Sequence, residues 1–148
     1  MITTFKCGIL KAVECRFAKE RGTGMKRELG IARCGLACCL CSENAHCAGC
    51  DSGQCPDINQ CENRKCSLAK SLAHCYECGE LCRKGILCKI KPYAFTEFAR
   101  RYGEEHLLDC LARNEQNGVV YHREGLNGDY DNFTDVETLI QYIQTGKR

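Results

Sequence analysis

The chain has no run of apolar residues long enough to cross a membrane as a helix, for which about 20 are needed. Its N-terminal residues also lack the apolar stretch of a signal peptide, because Lys11, Glu14, Arg16 and Lys19 interrupt every candidate. Both absences predict a cytoplasmic protein that has no membrane partner.

Large apolar side chains are scarce between residues 31 and 91. A segment of roughly 60 residues with so few of them is only marginally stable through the hydrophobic effect. A structural zinc ion adds roughly 10–16 kcal/mol of apparent binding energy, which acts as folding energy. The scarcity therefore favours stabilisation by metal. Nearly all of these side chains are Ile31, Leu36, Leu40, Ile58, Leu68, Leu72, Leu81, Ile86, Leu87 and Ile90.

Motifs of the common hydrolases are missing, since neither HExxH nor GxSxG occurs. The CxxC pairs also lack the βαβ pattern that a thioredoxin-type redox motif requires. Cys34-x3-Cys38-x2-Cys41 has the spacing of radical S-adenosylmethionine enzymes, but too few residues follow for their barrel of parallel strands. Enzyme activity is therefore left open, and the sequence favours a protein without it.

Cysteine, by contrast, is abundant: the chain has 16 cysteines in 148 residues, and 13 of them lie between residues 31 and 91. Such a density is typical either of a disulfide scaffold or of a metal protein. Thiols stay reduced in the cytoplasm, where dense cysteines act as metal ligands. The expected compartment therefore favours metal.

The first group of cysteines contains two closely spaced CxxC pairs, Cys38/Cys41 and Cys47/Cys50. A CxxC turn presents two sulfurs to one ion, and two such turns complete a tetrahedral tetrathiolate site. Cys34 is an alternative to one of the four, because the gap between the pairs is short for a zinc ribbon.

The second group begins with Cys61 and Cys66 and continues with the pair Cys75/Cys78. These four form one candidate site, and Cys82 either replaces one of them or joins them. Two groups of this kind predict about two zinc ions. The predicted metal ligands are therefore Cys34, Cys38, Cys41, Cys47, Cys50, Cys61, Cys66, Cys75, Cys78 and Cys82.

The remaining cysteines lie outside this spacing and are interpreted as buried or unligated thiols. They are Cys7, Cys15, Cys39, Cys55, Cys88 and Cys110. His46 and His74 each precede a candidate ligand, and we expect them at the surface or around the site, because cysteines are in excess. His106 and His122 are distant in sequence, and we expect them on a helix surface and in a strand.

This ladder of cysteines resembles a family of short cysteine-rich proteins called domain of unknown function 3795. The resemblance covers residues 33–85, where CGLxCxxC begins at Cys34 and CxGC begins at Cys47. It continues with Cys61-x4-Cys66 and then Cys75-x2-Cys78-x3-Cys82. The resemblance implies that these cysteines bind metal, and it implies no activity. The chain departs from the family by its extra Cys39, Cys55 and Cys88 and by Leu81, where a proline is usual.

Charge changes along the chain, whose net charge is +2. Residues 1–33 carry +5, residues 34–91 carry +1 and residues 92–148 carry −4. Four thiolates around a divalent ion would make the cysteine region more acidic, which argues against nucleic acid as a partner. A protein partner is predicted instead. Its candidate contact residues, which alternatively cover a core, are Tyr121, Tyr130 and Phe133.

These patterns divide the chain into an N-terminal extension (1–30), a cysteine-rich metal-binding module (31–91) and a helical C-terminal region (92–148). The spacing of Phe5, Ile9 and Val13 permits a short helix in the extension, and Met25 is an alternative natural start. The predicted fold is a small, irregular, metal-stabilised module with short helices, followed by a mainly α-helical region with few short strands.

Local signals predict the elements of the C-terminal region, whose boundary is Pro92. One helix starts near Thr96 and ends at Gly103, with Phe95, Phe98, Ala99 and Tyr102 on one face. A second helix carries Leu107, Leu108 and Leu111 and ends at Asn117-Gly118. Val119–Tyr121 is a predicted strand, followed by a loop from Gly125 to Gly128. A capping box at Thr134–Glu137 opens the last helix, which buries Val136, Leu139, Ile140 and Ile143 and ends at Gly146.

The sequence therefore predicts a zinc-binding protein with structural, Cys-ligated zinc sites that acts as a protein-interaction module. The alternative is a 4Fe-4S electron-transfer or redox protein, because an all-thiolate site suits both metals. The ferredoxin spacing, CxxCxxC with a distant Cys-Pro, is not reproduced.

Overall fold

A computed structural model describes residues 25–41, 48–53, 55, 58–80, 82–123 and 126–147. The short helix considered for residues 1–24 lies outside the described residues, as do His46 and Cys47. Cys7 and Cys15 also lie outside them.

The described part of the cysteine module is built mainly of single 3₁₀ turns, with one short helix. Helix α1 spans Glu62–Ala69 and is preceded by Cys61, whose sulfur accepts a hydrogen bond from the Arg64 amide. Such a cap satisfies one of the amide groups that the first turn of a helix leaves unpaired. The 3₁₀ turns span Arg27–Leu29, Cys38–Leu40, Cys50–Ser52, Cys75–Glu77 and Gly85–Cys88.

Helix α2 spans Ile90–Tyr102, so the predicted start near Thr96 is wrong. Proline is tolerated in the first turn because the amide groups there have no partner within the helix. The predicted end at Gly103 is confirmed, and this glycine has a φ of 92°. Phe95 and Phe98 are fully buried, whereas Tyr102 is 45% exposed.

Helix α3 spans Glu104–Gln116 and follows α2 after one residue. Its predicted stripe of Leu107, Leu108 and Leu111 is buried, which confirms the amphipathic pattern. The helix ends at Asn117 as expected, where the chain turns through Gly118 with a φ of 91°.

A two-stranded antiparallel hairpin follows, with β1 at His122–Arg123 and β2 at Leu126–Asn127. The strand predicted at Val119–Tyr121 is wrong. Val120 instead makes two hydrogen bonds to Asp129, which follows the hairpin. The Val120 amide donates to Asp129 Oδ2 and the Val120 carbonyl accepts from the Asp129 amide, both at 2.8 Å. These two bonds satisfy the polar groups of Val120 without a neighbouring strand.

Helix α4 spans Val136–Thr145 and ends at Gly146, as predicted. Its cap is Asp135 rather than the predicted Thr134, because Asp135 Oδ2 accepts hydrogen bonds of 2.9 Å from the Thr138 amide and hydroxyl. Of the four residues expected to be buried, only Val136 is partly exposed.

One hydrophobic core joins the cysteine module to helices α2, α3 and α4. Ile31, Ala37 and Cys39 from the module pack in the same cluster as Phe95 and Leu111. Tyr121 and Tyr130 are also buried there, so these two tyrosines cover a core rather than form a contact surface. A second, small cluster contains Cys34, Leu36 and Ile86.

The helical character predicted for the C-terminal region is confirmed, because α2, α3 and α4 together make up most of it. None of the helices in the described ranges is long and apolar enough to cross a membrane.

Candidate metal centre

Two CxxC pairs have the same local backbone. The Cys41 amide donates to the Cys38 carbonyl at 3.2 Å, and the Cys78 amide donates to the Cys75 carbonyl at 3.0 Å. Both pairs begin with a 3₁₀ turn, and the second cysteine of each is extended. A tight turn of this kind keeps two sulfurs on one side of the chain, as a shared metal ion requires.

Cys75 is the buried cysteine of the second group, whose other members are half-buried. Its thiol is buried, and burial is the main reason that the pKa of Cys75 is raised to about 11. The charges of neighbouring thiolates raise the pKa further, which means that their sulfurs lie within electrostatic reach of Cys75. These neighbours are Cys82, Cys66, Cys61 and Cys78.

Hydrogen-bond donors approach the sulfurs of this group. The Arg64 amide lies 3.4 Å from Cys61 Sγ, and Lys70 Nζ lies 3.4 Å from Cys78 Sγ. The backbone amide of Glu80, followed by Lys70, holds the pKa of Cys78 below its ordinary value. The surroundings of Cys78 therefore favour its thiolate, which is the form that binds metal.

Cys50 lies beside the second group, although its spacing along the chain assigns it to the first. Its pKa is raised, first by burial, and the neighbouring Cys61 thiolate contributes. The backbone of Arg33 opposes this rise in the pKa of Cys50. Arg64 Nε donates to the Cys50 carbonyl at 3.2 Å. Folding thus brings Cys50 next to residues that follow it by more than ten positions.

The first group is built on the face of α2. Thr96 Oγ1 donates to the Cys34 carbonyl at 2.9 Å, and Gly35 turns there with a φ of 90°. Cys38 and Cys41 are half-buried and Cys34 is buried. Cys38 Sγ lies 4.0 Å from the position that a Cβ on Gly49 would take. The first group therefore reaches the turn that carries Cys50.

The cysteines outside the predicted ligand set differ widely in burial. Cys39 is fully buried in the main core, and burial raises its pKa to about 12. Cys110 is buried in the same core, Cys55 is half-buried and Cys88 is exposed. None of the thirteen cysteines in the described ranges is in a disulfide.

His74 packs away from the thiols. Its ring stacks on Tyr76 with centroids 4.9 Å apart, and its Nε2 lies 3.3 Å from the Ile31 carbonyl. Tyr76 in turn donates to Glu104 Oε1 at 3.1 Å, and His74 Nε2 lies 3.9 Å from the same oxygen. His74 therefore links the cysteine module to α3. His106 is exposed on α3 and His122 is in β1, as expected.

Three cations around the thiols were missed by the sequence reasoning: Arg33, Arg64 and Lys70. The Arg33 guanidinium is largely buried and donates to Asp51 Oδ1 at 2.7 Å and to Ser67 Oγ at 3.1 Å. Positive charge near thiolates offsets the negative charge that an all-cysteine site accumulates. The available signal was their position, since Arg33 precedes Cys34 and Arg64 lies between Cys61 and Cys66.

Among the residues that the structure describes, no three His, Cys, Asp or Glu side chains converge closely enough to hold a metal ion. The donors nevertheless suit zinc in type and number, with five thiols in the second group and hydrogen-bond donors at two of their sulfurs. A scan of protein-family models, a search of the curated proteins and a search of the solved structures each found no match to this chain.

Proposed function

We propose that the chain is a zinc-binding protein whose zinc ions are structural, Cys-ligated and about two in number. The observation that carries the proposal is the tight turn shared by the pairs Cys38/Cys41 and Cys75/Cys78, because a CxxC turn of this kind presents two sulfurs to one ion. Four thiolates complete the tetrahedral coordination that zinc prefers. On binding metal, the sulfurs would lose their protons and move closer together than they are in the structure. Metal binding is coupled to folding and to proton release in this way.

A structural role follows from the donor set. The second group offers more thiols than one tetrahedral ion needs: Cys61, Cys66, Cys75, Cys78 and Cys82. A site filled by thiolates has no open position for water or substrate, so it stabilises the fold and catalyses nothing. The first site would draw its ligands from Cys34, Cys38, Cys41, Cys47 and Cys50.

Metal bound here would hold the module against the helices. The Cys34 carbonyl is bonded to Thr96 on α2, and the carbonyl of Tyr76, next to Cys75, accepts from Arg100 Nε at 3.3 Å. Because these contacts begin at candidate ligands or their neighbours, fixing the sulfurs would also fix this interface. We propose that the stabilised surface binds another protein in the cytoplasm, where thiols stay reduced.

A 4Fe-4S cluster is the competing occupant, since it also takes thiolate ligands and hydrogen bonds to sulfur. Anaerobic purification followed by elemental analysis and an absorption spectrum distinguishes the two. Zinc predicts about two equivalents of the metal and little visible absorption. A brown sample with stoichiometric iron and sulfide, and no zinc, would replace zinc with the iron–sulfur proposal.

Single substitutions test the ligand assignment. Cys38→Ala and Cys78→Ala are each expected to lose one equivalent of zinc, measured by elemental analysis after gel filtration. The matched control is Cys88→Ala, because Cys88 lies in the same module but is exposed. If Cys78→Ala keeps the full metal content, the second site does not use this thiol.

A further inference from the structure

The segment that joins the cysteine module to α2 carries charge of one sign. Between Glu80 and Glu97 the chain has four basic residues and no acidic one. The four are Arg83, Lys84, Lys89 and Lys91. Lys91 is buried and forms an ion pair of 2.9 Å with Asp131, so its charge is neutralised within the fold. The other three, Arg83, Lys84 and Lys89, form what we call the basic patch.

The basic patch differs from other surface cations in having no carboxylate within ion-pair distance in the part of the chain that the structure describes. Arg83 and Lys84 are exposed, and Lys89 is half-buried. Glu80 is bonded to Lys70 at 2.7 Å and acts on Lys84 only over a longer distance. Unbalanced positive charge at one place on a surface attracts an anionic partner.

Arg83 is the best ordered cation of the patch. Its Cζ lies over the Tyr93 ring, 4.0 Å from the centroid, and its Nη2 lies 3.5 Å from the Cys88 carbonyl oxygen. These contacts place the guanidinium beside the peptide bond that leads to Lys89. A guanidinium that is already positioned on an aromatic ring loses less freedom on binding, and its planar fork matches the two oxygens of a carboxylate.

Buried contacts fix the backbone of the patch. Asn63 is 2% exposed, and its Nδ2 donates to the Lys84 carbonyl at 3.1 Å while its Oδ1 accepts from the Ile86 amide at 3.0 Å. The 3₁₀ turn Gly85–Cys88 then carries Lys84 at one end and Lys89 at the other. The first turn of α2 follows without an acidic residue, so the positive end of its dipole adds to the same potential.

We propose that the basic patch binds an acidic segment of a protein partner, with Arg83 paired to both oxygens of a Glu or Asp carboxylate. The inference rests on the proposed function, because it names the chemistry of the protein partner proposed there. A protein segment fits better than nucleic acid, since three cations are fewer than the roughly 6–10 phosphate contacts that a nucleic-acid-binding protein can make. The region that follows, residues 92–148, carries a net charge of −4 and would repel phosphates.

Fluorescence anisotropy of labelled peptides, mixed with the full zinc-loaded chain, tests the proposal. The probe is fluorescein-labelled octaglutamate, and octaglutamine of the same length is its neutral control. We expect octaglutamate to bind saturably and more weakly as the salt concentration rises, because salt screens exposed charges. We expect no binding of octaglutamine.

The zinc content of the same samples separates failure of this inference from failure of the proposed function. A sample with full zinc that does not bind octaglutamate, or binds octaglutamine equally well, would overturn the acidic partner and leave the zinc sites intact. A sample without zinc would overturn the proposed function, on which the inference rests. Tighter binding of a short DNA duplex than of octaglutamate would assign the patch to nucleic acid and overturn the proposal.

Variants locate the binding on the chain. Arg83→Ala is expected to weaken octaglutamate binding roughly tenfold. Arg83→Lys keeps the charge but lacks the planar fork, so a loss of roughly threefold is expected. The matched control is Lys147→Ala, which removes the same charge from an exposed lysine beyond α4 and should leave the affinity unchanged. Equal affinities of Arg83→Ala and Lys147→Ala would overturn the role of Arg83.

Two further measurements keep the test decisive. Lys89→Ala also removes a charge from the patch and is expected to weaken binding, so it replaces Arg83→Ala if that variant fails to fold by far-ultraviolet circular dichroism. Gel filtration reports whether a second copy of the chain occupies the patch. A wild-type dimer that Lys89→Ala and Arg83→Ala dissociate would assign the patch to self-association and overturn a separate acidic partner.

Discussion

At the scale of the residue, cysteines that look alike in the sequence differ in their burial and in their thiol pKa. Cys38 and Cys39 are adjacent, yet Cys38 is half-buried near Gly49 while Cys39 is fully buried in the apolar core. Burial is the main reason that the pKa of Cys39 is raised to about 12. Cys78, beside Lys70, has a lowered pKa. Metal binding is therefore expected at Cys38 and Cys78 and not at Cys39.

Asn114 is a second residue whose role depends on burial. It is fully buried, and its Nδ2 donates to the Ile143 carbonyl at 3.0 Å and to Tyr130 Oη at 3.2 Å. Asn114→Ala removes both bonds. The Ile143 carbonyl keeps Arg113 Nη2 as a donor at 3.0 Å, but the buried Tyr130 hydroxyl loses its bond to Asn114, so we expect a loss of about 2 kcal/mol in the free energy of unfolding. Urea denaturation measures the loss. The control Asn59→Ala changes an exposed asparagine and should have little effect.

At the scale of the element, the Cys34–Gly35 turn is what fits the module to α2. A Cβ on Gly35 would clash with Thr96 Oγ1 and lie 2.9 Å from the Pro92 carbonyl oxygen. Only glycine allows the turn to approach the helix this closely. The turn also positions Cys34 for its bond to Thr96. The same packing therefore places Cys34, the first of the proposed ligands, against α2.

Gly35→Ala tests this close approach. Gly118 is a matched control, because its φ of 91° is nearly that of Gly35 but a Cβ there would meet nothing within 4 Å. Because the two φ values are nearly equal, the difference between the variants reports mainly the clash. We expect Gly35→Ala to lose roughly 1–3 kcal/mol more than Gly118→Ala in urea denaturation. Equal losses would mean that the turn moves away from α2 at no cost.

The cap of α4 predicts a pH dependence. The Thr138 amide and hydroxyl bond to Asp135 and hold the pKa of this carboxyl below its ordinary value. Because the folded pKa is lowered, the stabilisation is complete above the unfolded pKa and is lost as the pH falls through the folded one. Asp135→Asn keeps a capping oxygen but does not titrate. Its melting temperature should therefore fall less than that of the wild type between neutral pH and pH of about 2.

At the scale of the whole molecule, the cysteine module and the helices share one core. Ile31 and Ala37 pack with Phe95 and Leu111, and the Ala37 amide donates to Tyr121 Oη at 3.0 Å. Segments that share a core usually unfold together. Loss of metal from the module is thus expected to affect the helices as well.

Chelation of the zinc-loaded protein tests this coupling. We expect an excess of chelator to lower the melting temperature of α2, α3 and α4, followed by far-ultraviolet circular dichroism, together with that of the module. Buried tyrosines of the core, such as Tyr130, give a second signal through their fluorescence. Helices that melt at an unchanged temperature after all zinc is removed would contradict a shared, metal-dependent fold.

Short-range backbone preferences made much of the helical region predictable. Glycine in a positive-φ conformation ends α2 and α4 where the spacing of apolar residues predicted, and the stripe of Leu107, Leu108 and Leu111 is buried. The start of α2 was missed because Pro92 was treated as a boundary, although a proline is compatible with a first turn. The predicted strand at Val119–Tyr121 is wrong because Val120 bonds to Asp129 instead of to a neighbouring strand. The residue types in this segment do not reveal that partner.

The sequence by itself determined that the thiols come in two groups, that the pairs Cys38/Cys41 and Cys75/Cys78 form tight turns, and that helices follow them. These features depend on residues a few positions apart. Only the tertiary structure decided that Cys39 enters the core, that Tyr121 and Tyr130 are buried, and that Cys50 lies beside Cys61. Packing between segments that are distant in sequence determines such neighbours, here through Arg33 and Arg64. The spacing of residues along the chain does not predict this packing.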